Sequence, residues 1–133
     1  DVAGVIGAVS CTPLSSAVLA AYDAPFPDAR YKAGALVFPS LIPTHTEMAG
    51  AAENRRTWAF LSHWQKPFVT AFSDSDPATA AWAPVFQRRI PGAQGREHPV
   101  IPGAGHFLQE EQGAALAAVV ADTVNALPSA APG

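Results

Sequence analysis

Charge is scarce in this sequence. Only 14% of its 133 residues are Asp, Glu, Lys or Arg, against about 25% in an ordinary soluble domain. Hydrophobic residues make up 49%, so little surface is left to solvate. That balance is expected of a chain that packs against further segments. Basic residues form no patch and the net charge is −3, which argues against nucleic acid as a partner. The single cysteine, Cys11, has no partner for an internal disulfide. A reduced, cytoplasmic setting fits it. No two histidines have metal-ligand spacing, so no metal site is expected. No apolar run has membrane length: residues 2–9 are too short and lack the positive flank of a signal peptide. Two further absences stand together. The chain opens Asp1-Val2 without Met, and no G-x-[S/D/C]-x-G nucleophile turn occurs. Both lead to the expectation that an N-terminal part precedes these residues.

Proline is not scarce, and it punctuates the first half. Residues 1–12 are small and apolar with no clear period. Residues 13–22 suit a short helix with proline in its first turn and Leu14, Val18, Leu19 and Tyr22 at roughly helical spacing. Pro25 and Pro27 break it. Residues 31–41 are a second short helical candidate. Residues 48–64 form the longest helical pattern, with Trp58, Leu61 and Trp64 on one stripe. Residues 66–73 then switch to a strand, apolar nearly throughout, as a sheet buried on both faces requires. Residues 78–89 read as a helix, 91–95 as a turn, 98–101 as a short strand and 114–127 as a final helix. The tail, 128–133, is expected to fray. A boundary near residue 66 separates proline-broken helices, 1–65, from a β-α-β-α pattern, 66–133. That second pattern is the edge of a parallel sheet.

His106 is the strongest candidate for chemistry. It follows a strand on the glycine-rich turn Gly103-Ala104-Gly105, where a general base has room and access. Asp74 and Asp76 follow the preceding strand, and either could orient the histidine by accepting its ring N–H. Asp76 is favoured because Pro77 holds its loop extended; Asp74 then caps a turn or faces solvent. Acid after one strand and histidine after the next is the chain order of the last two triad members in α/β-hydrolases, where the nucleophile comes earlier. Glu110 and Glu111 suit the electropositive start of a helix. Trp58, Trp64 and Trp82 suit packing, as does the apolar patch of Phe38, Pro39, Leu41 and Ile42.

Three stretches carry a family resemblance across roughly residues 15–125. Lys66-Pro67-Phe68-Val69-Thr70-Ala71-Phe72-Ser73-Asp74-Ser75-Asp76-Pro77 and Gly103-Ala104-Gly105-His106-Phe107-Leu108-Gln109-Glu110 resemble the C-terminal half of haloalkane dehalogenases. Tyr22-Asp23-Ala24-Pro25-Phe26-Pro27-Asp28, with Phe38-Pro39 beyond it, resembles the helical cap of their subfamily I. The resemblance implies an α/β fold: a C-terminal fragment of an α/β-hydrolase, with cap helices, the last two parallel strands and their flanking helices. It implies hydrolysis of small apolar halogenated substrates to alcohol and halide ion, through an alkyl-enzyme ester and without any cofactor. His106 would be the base, Asp76 its acid partner, and Phe38, Pro39 and Ile42 pocket-lining residues. The nucleophilic aspartate and the halide-binding tryptophans would lie before Asp1, in a missing N-terminal half that these residues need as a partner. Rival expectations are an epoxide hydrolase, a serine esterase or a non-catalytic fragment.

Overall fold

The computed structural model describes residues 1–127. The expected fraying of 128–133 lies outside the described residues.

The apolar start is helical. α1, Val2–Ala8, is capped by the Asp1 side chain, which accepts from the Gly4 N–H. It buries Ala3 and Ile6, a one-turn spacing that the run of small residues conceals. α2 spans Ser16–Asp23, later than the expected 13–22, because Ser15 supplies the N-cap by accepting from the Val18 N–H. Pro13 therefore sits outside the helix. Asp23, at the end of α2, accepts the N–H groups of Val2 at 3.0 Å and Ala3 at 3.1 Å. Those groups have no intrahelical partner at a helix start, so one carboxylate ties the two helices together.

The helix expected at 31–41 is three short pieces. A 3-10 turn, Ala29–Lys32, precedes α3, Ala33–Val37, and a second 3-10 turn, Phe38–Leu41, follows. Pro39 lies in the first turn of that last piece. Without an N–H it cannot continue an α-helical ladder. α4 covers Ala51–Leu61, shorter than the expected 48–64. Gly50, at φ 84°, stands before it in the left-handed region that helices cannot use. Trp58 of α4 stacks on Phe86 at 5.3 Å and on Trp82 at 6.4 Å, and the Arg89 guanidinium lies 4.4 Å from its ring centroid. These tryptophan contacts fit the expected packing role.

The sheet is small and parallel: β1, Phe72–Ser73, pairs with β2, Val100–Ile101, in the register Phe72 to Val100 and Ser73 to Ile101. Both strands fall short of the sequence expectation. One reason is that backbone N–H groups at 68 and 70 find other partners. The Phe68 N–H donates to Gly92 O at 3.0 Å and the Thr70 N–H to His98 Nδ1 at 3.1 Å. The expected double-sided burial is also incomplete: Thr70 and Ser73 are buried, while Phe68, Val69 and Phe72 are half-buried. Between the strands run a 3-10 turn, Ala80–Trp82, α5, Ala83–Arg89, and a 3-10 turn, Pro91–Ala93. After β2 come α6, Leu108–Glu111, and α7, Gly113–Asn125. Among the described residues no helix is long and apolar enough to cross a membrane.

Among the described glycines, Gly92 has the closest approach to other backbone. Its N–H donates to Trp64 O at 2.7 Å, and a Cβ there would stand 1.9 Å from Lys66 O. Gly92→Ala must displace backbone, not a pliable side chain. We expect a loss of stability of about 1–3 kcal/mol or more, read as a lower midpoint in thermal unfolding. An unchanged midpoint would mean that residues 64–68 do not pass this close.

Candidate active site

The parallel register puts the ends of β1 and β2 side by side, so both following loops leave from the same end. Hydrogen bonds then join the loops beyond the sheet. The Asp74 N–H donates to Ile101 O at 3.1 Å and the Ser75 N–H to Ala104 O at 3.3 Å. The Gly103 N–H returns a bond to Asp74 Oδ1 at 3.1 Å. Gly103 has φ 74°, a conformation glycine adopts without strain. Asp74 is exposed and acts as a clip between the two loops; the Gly103 N–H is the main cause holding its carboxyl below the usual carboxylate range.

Asp76 is different. It is 9% exposed, and its Oδ1 lies 2.9 Å from His106 Nδ1. The same carboxylate accepts from the Ala78 N–H at 2.8 Å and from the Thr79 hydroxyl. Burial pushes its pKa up, but those donors and the His106 ring N–H outweigh it and hold it at about 2. An ionised carboxylate can only accept, so Nδ1 carries the proton of the shared bond. In a neutral imidazole this leaves Nε2 as the free basic nitrogen. No described group bonds it, and the His106 side chain is 32% exposed against 5% for Asp76. The arrangement is therefore a buried anion, an oriented imidazole and an accessible lone pair.

The carboxylates here tie stability to pH in one direction. A depressed pKa stabilises the fold above the unfolded value, 3.8 for Asp76, and that contribution is lost as pH falls from there towards about 2. Asp74 and Glu111, also depressed, act with the same sign. The Asp76 shift corresponds to a contribution on the order of 2 kcal/mol. Thermal melts should show a midpoint that drops between pH 5 and pH 2. Asp76→Asn should start lower and fall less steeply. Parallel slopes for the two proteins would contradict this assignment.

The remaining histidines have other surroundings. His98 Nδ1 accepts from Thr70 and its Nε2 donates to Ala93 O at 2.9 Å; it links strand and loop. His63 Nδ1 lies 2.9 Å from the Ala59 carbonyl. Glu110 and Glu111 do more than the sequence suggested. Glu110 accepts from the Tyr22 hydroxyl at 2.6 Å. Glu111 accepts from the Thr12 N–H at 2.6 Å, the Thr12 hydroxyl at 2.8 Å and the Gly105 N–H at 2.7 Å. Contacts between residues 12 and 111 leave no local signal in a sequence.

Phe38, Pro39 and Ile42 stand on and just after the 3-10 turn Phe38–Leu41, with Phe38 71% and Ile42 61% exposed. Neither of two clefts among the described residues includes them or His106. A cleft of about 510 Å³ lies elsewhere, between Val69, His98, Val119 and Leu127. It includes neither His106 nor Asp76, so the chemistry does not belong to it. Among the described residues no group of three His, Cys, Asp or Glu side chains could hold a metal ion.

Helices around a parallel strand pair, with an acid and a histidine bonded beyond adjacent strand ends, make a mixed arrangement compatible with part of an α/β fold. No protein-family model matches the sequence. Curated relatives do. The haloalkane dehalogenase of Psychrobacter cryohalolentis is 46% identical over 127 residues, covering 96% of this chain and 42% of that protein. That of Mycolicibacterium paratuberculosis is 44% identical over 104 residues, 78% of this chain and 34% of its own length. That of Mycobacterium marinum is 41% identical over 113 residues, 85% of this chain and 38% of its own. The chain is a relative of the haloalkane dehalogenases, a family of hydrolytic enzymes, and spans well under half the length of these members.

Proposed function

We propose that residues 1–133 are the C-terminal portion of an enzyme that hydrolyses carbon–halogen bonds in small apolar halogenated substrates, releasing an alcohol, a halide ion and a proton. The observation that carries the reading is the 2.9 Å bond between His106 Nδ1 and the buried Asp76 carboxylate. The names of the curated relatives support the substrate class. Residues 1–65 serve as part of a helical cap and 66–133 as the last part of the catalytic core. Phe38, Pro39 and Ile42 line the substrate pocket once the N-terminal half packs against them, which accounts for their exposure in this chain.

In the first step an aspartate carboxylate supplied by that half attacks the halogen-bearing carbon. A carbon–oxygen bond forms, the carbon–halogen bond breaks and the halide leaves with its electron pair. In the second step a water attacks the ester carbonyl while His106 Nε2 takes its proton. Asp76 stabilises the imidazolium that results. The proton then passes to the solvent, and the alcohol leaves. No cofactor takes part in this scheme.

The reading frame upstream of Asp1 tests the proposal. A G-x-D-W-G motif there supports it, because the aspartate is the nucleophile of this chemistry. A serine in the aspartate's place makes the intact protein an esterase and sinks the dehalogenase reading.

A further inference from the structure

The backbone carrying His106 is held by three bonds at two successive residues. The Gly105 carbonyl accepts from the Ser73 hydroxyl at 2.7 Å, inside the core. The Gly105 N–H donates to Glu111 Oε2 at 2.7 Å. The next N–H, that of His106 itself, donates to Val9 O at 2.9 Å. The Val9 carbonyl belongs to the segment 9–12 that leaves α1. That segment is fastened by the other oxygen of Glu111, which accepts from the Thr12 N–H and hydroxyl. One carboxylate thus grips both the loop of His106 and the strand of chain that the His106 N–H rests on. The fit is close: a Cβ on Gly105 would stand 2.2 Å from Val9 O. Burial alone would raise the Glu111 pKa, but the N–H groups of Gly105 and Thr12 lead the bonds that outweigh it and hold it low. The clasp is therefore anionic at neutral pH.

We propose that Glu111 is a positioning residue for His106: its clasp on Gly105 and Thr12 sets the imidazole in line with Asp76. This rests on His106 being the base of the proposed reaction. Glu111 touches neither Asp76 nor the imidazole in any hydrogen bond of the described residues, so its effect passes through backbone. A carboxylate is required, since it must accept on both sides. Glutamine offers one acceptor and one donor, and its NH₂ would face either the Gly105 or the Thr12 N–H.

The test uses the full-length protein that carries this chain. The first readout is the proton NMR resonance of the His106 Nδ1–H bonded to Asp76, assigned by its loss in Asp76→Asn. The second is the rate of the ester-hydrolysis step, separated from the halide burst by rapid mixing. Glu111→Ala and Glu111→Gln should weaken or broaden the Nδ1–H signal and slow hydrolysis roughly 10- to 100-fold, the scale for a misplacement near 1 Å. The burst should be kept, because alkylation needs no base. Glu111→Asp should recover part of the loss. Glu110→Gln, which removes a neighbouring charge but no bond of the clasp, should leave both readouts unchanged. A folded Glu111→Gln with the native resonance and the native hydrolysis rate would overturn the proposal. If the Glu111 variants do not fold, Thr12→Val decides: it removes the hydroxyl bond alone, and an unaltered resonance and rate would overturn it equally. A wild-type protein with no halide burst would count against the dehalogenase reading, while the NMR comparison would still judge the clasp.

Discussion

Residues 1–133 on their own are expected to release no halide above background from 1,2-dibromoethane or 1-bromobutane. In the proposed reaction His106 and Asp76 serve the second half only, and the first half needs a carboxylate placed against the substrate carbon. No G-x-[S/D/C]-x-G turn in this sequence supplies it. Loss of one member of a catalytic triad lowers rates by roughly 10⁴ to 10⁶. Here the donors that receive the halide are expected to be lost with it. Phe38 and Ile42 lie exposed, so they are not expected to enclose a haloalkane. Adding the separately expressed N-terminal half should restore turnover if the two parts associate. Halide release by the purified chain alone, scaling with its concentration, would show that it holds its own nucleophile.

The second large effect concerns His106→Gln in the intact protein. Alkylation consumes no proton, since the nucleophile is already a carboxylate and halide leaves as an anion. The variant should therefore release about one halide per active site at a near-native rate. Steady-state turnover after that burst should fall by roughly 10²- to 10⁴-fold, the usual contribution of a general base. A serine esterase would behave otherwise, because its hydroxyl must lose a proton before it can attack. The same substitution would then remove the burst as well. Asp76 stays ionised throughout the working range, so its influence is constant and the variant isolates the histidine.

The contact between Asp76 and His106 is easier to read from the sequence than the elements that frame it. Asp76 and His106 each follow an extended run, and proline or glycine fixes each loop, so type and spacing suffice to bring them together. The separation of Asp74 from Asp76 followed from Pro77, and the structure places Asp74 on the Gly103 N–H. α1 escaped notice because its helical signal lies in Ala3 and Ile6 among glycines and alanines, with a cap at the first residue. The strands were overestimated because an apolar run reports burial, not pairing. Thr70 gives its N–H to a histidine ring instead of a neighbouring strand. The helix at 31–41 yields to Pro39, a break visible in the sequence but not in its exact form. The Glu111 clasp was invisible, since its two partners come from opposite ends of the chain.

One measurement tests the role of His106 most directly. His106→Gln of the intact protein, incubated with 1-bromobutane and analysed by mass spectrometry, should carry a covalent butyl group on a carboxylate side chain. That adduct forms because the first step is intact and persists because no base activates water. Unmodified protein, with no halide burst, would contradict the assignment of His106 as the base of a dehalogenase's second step.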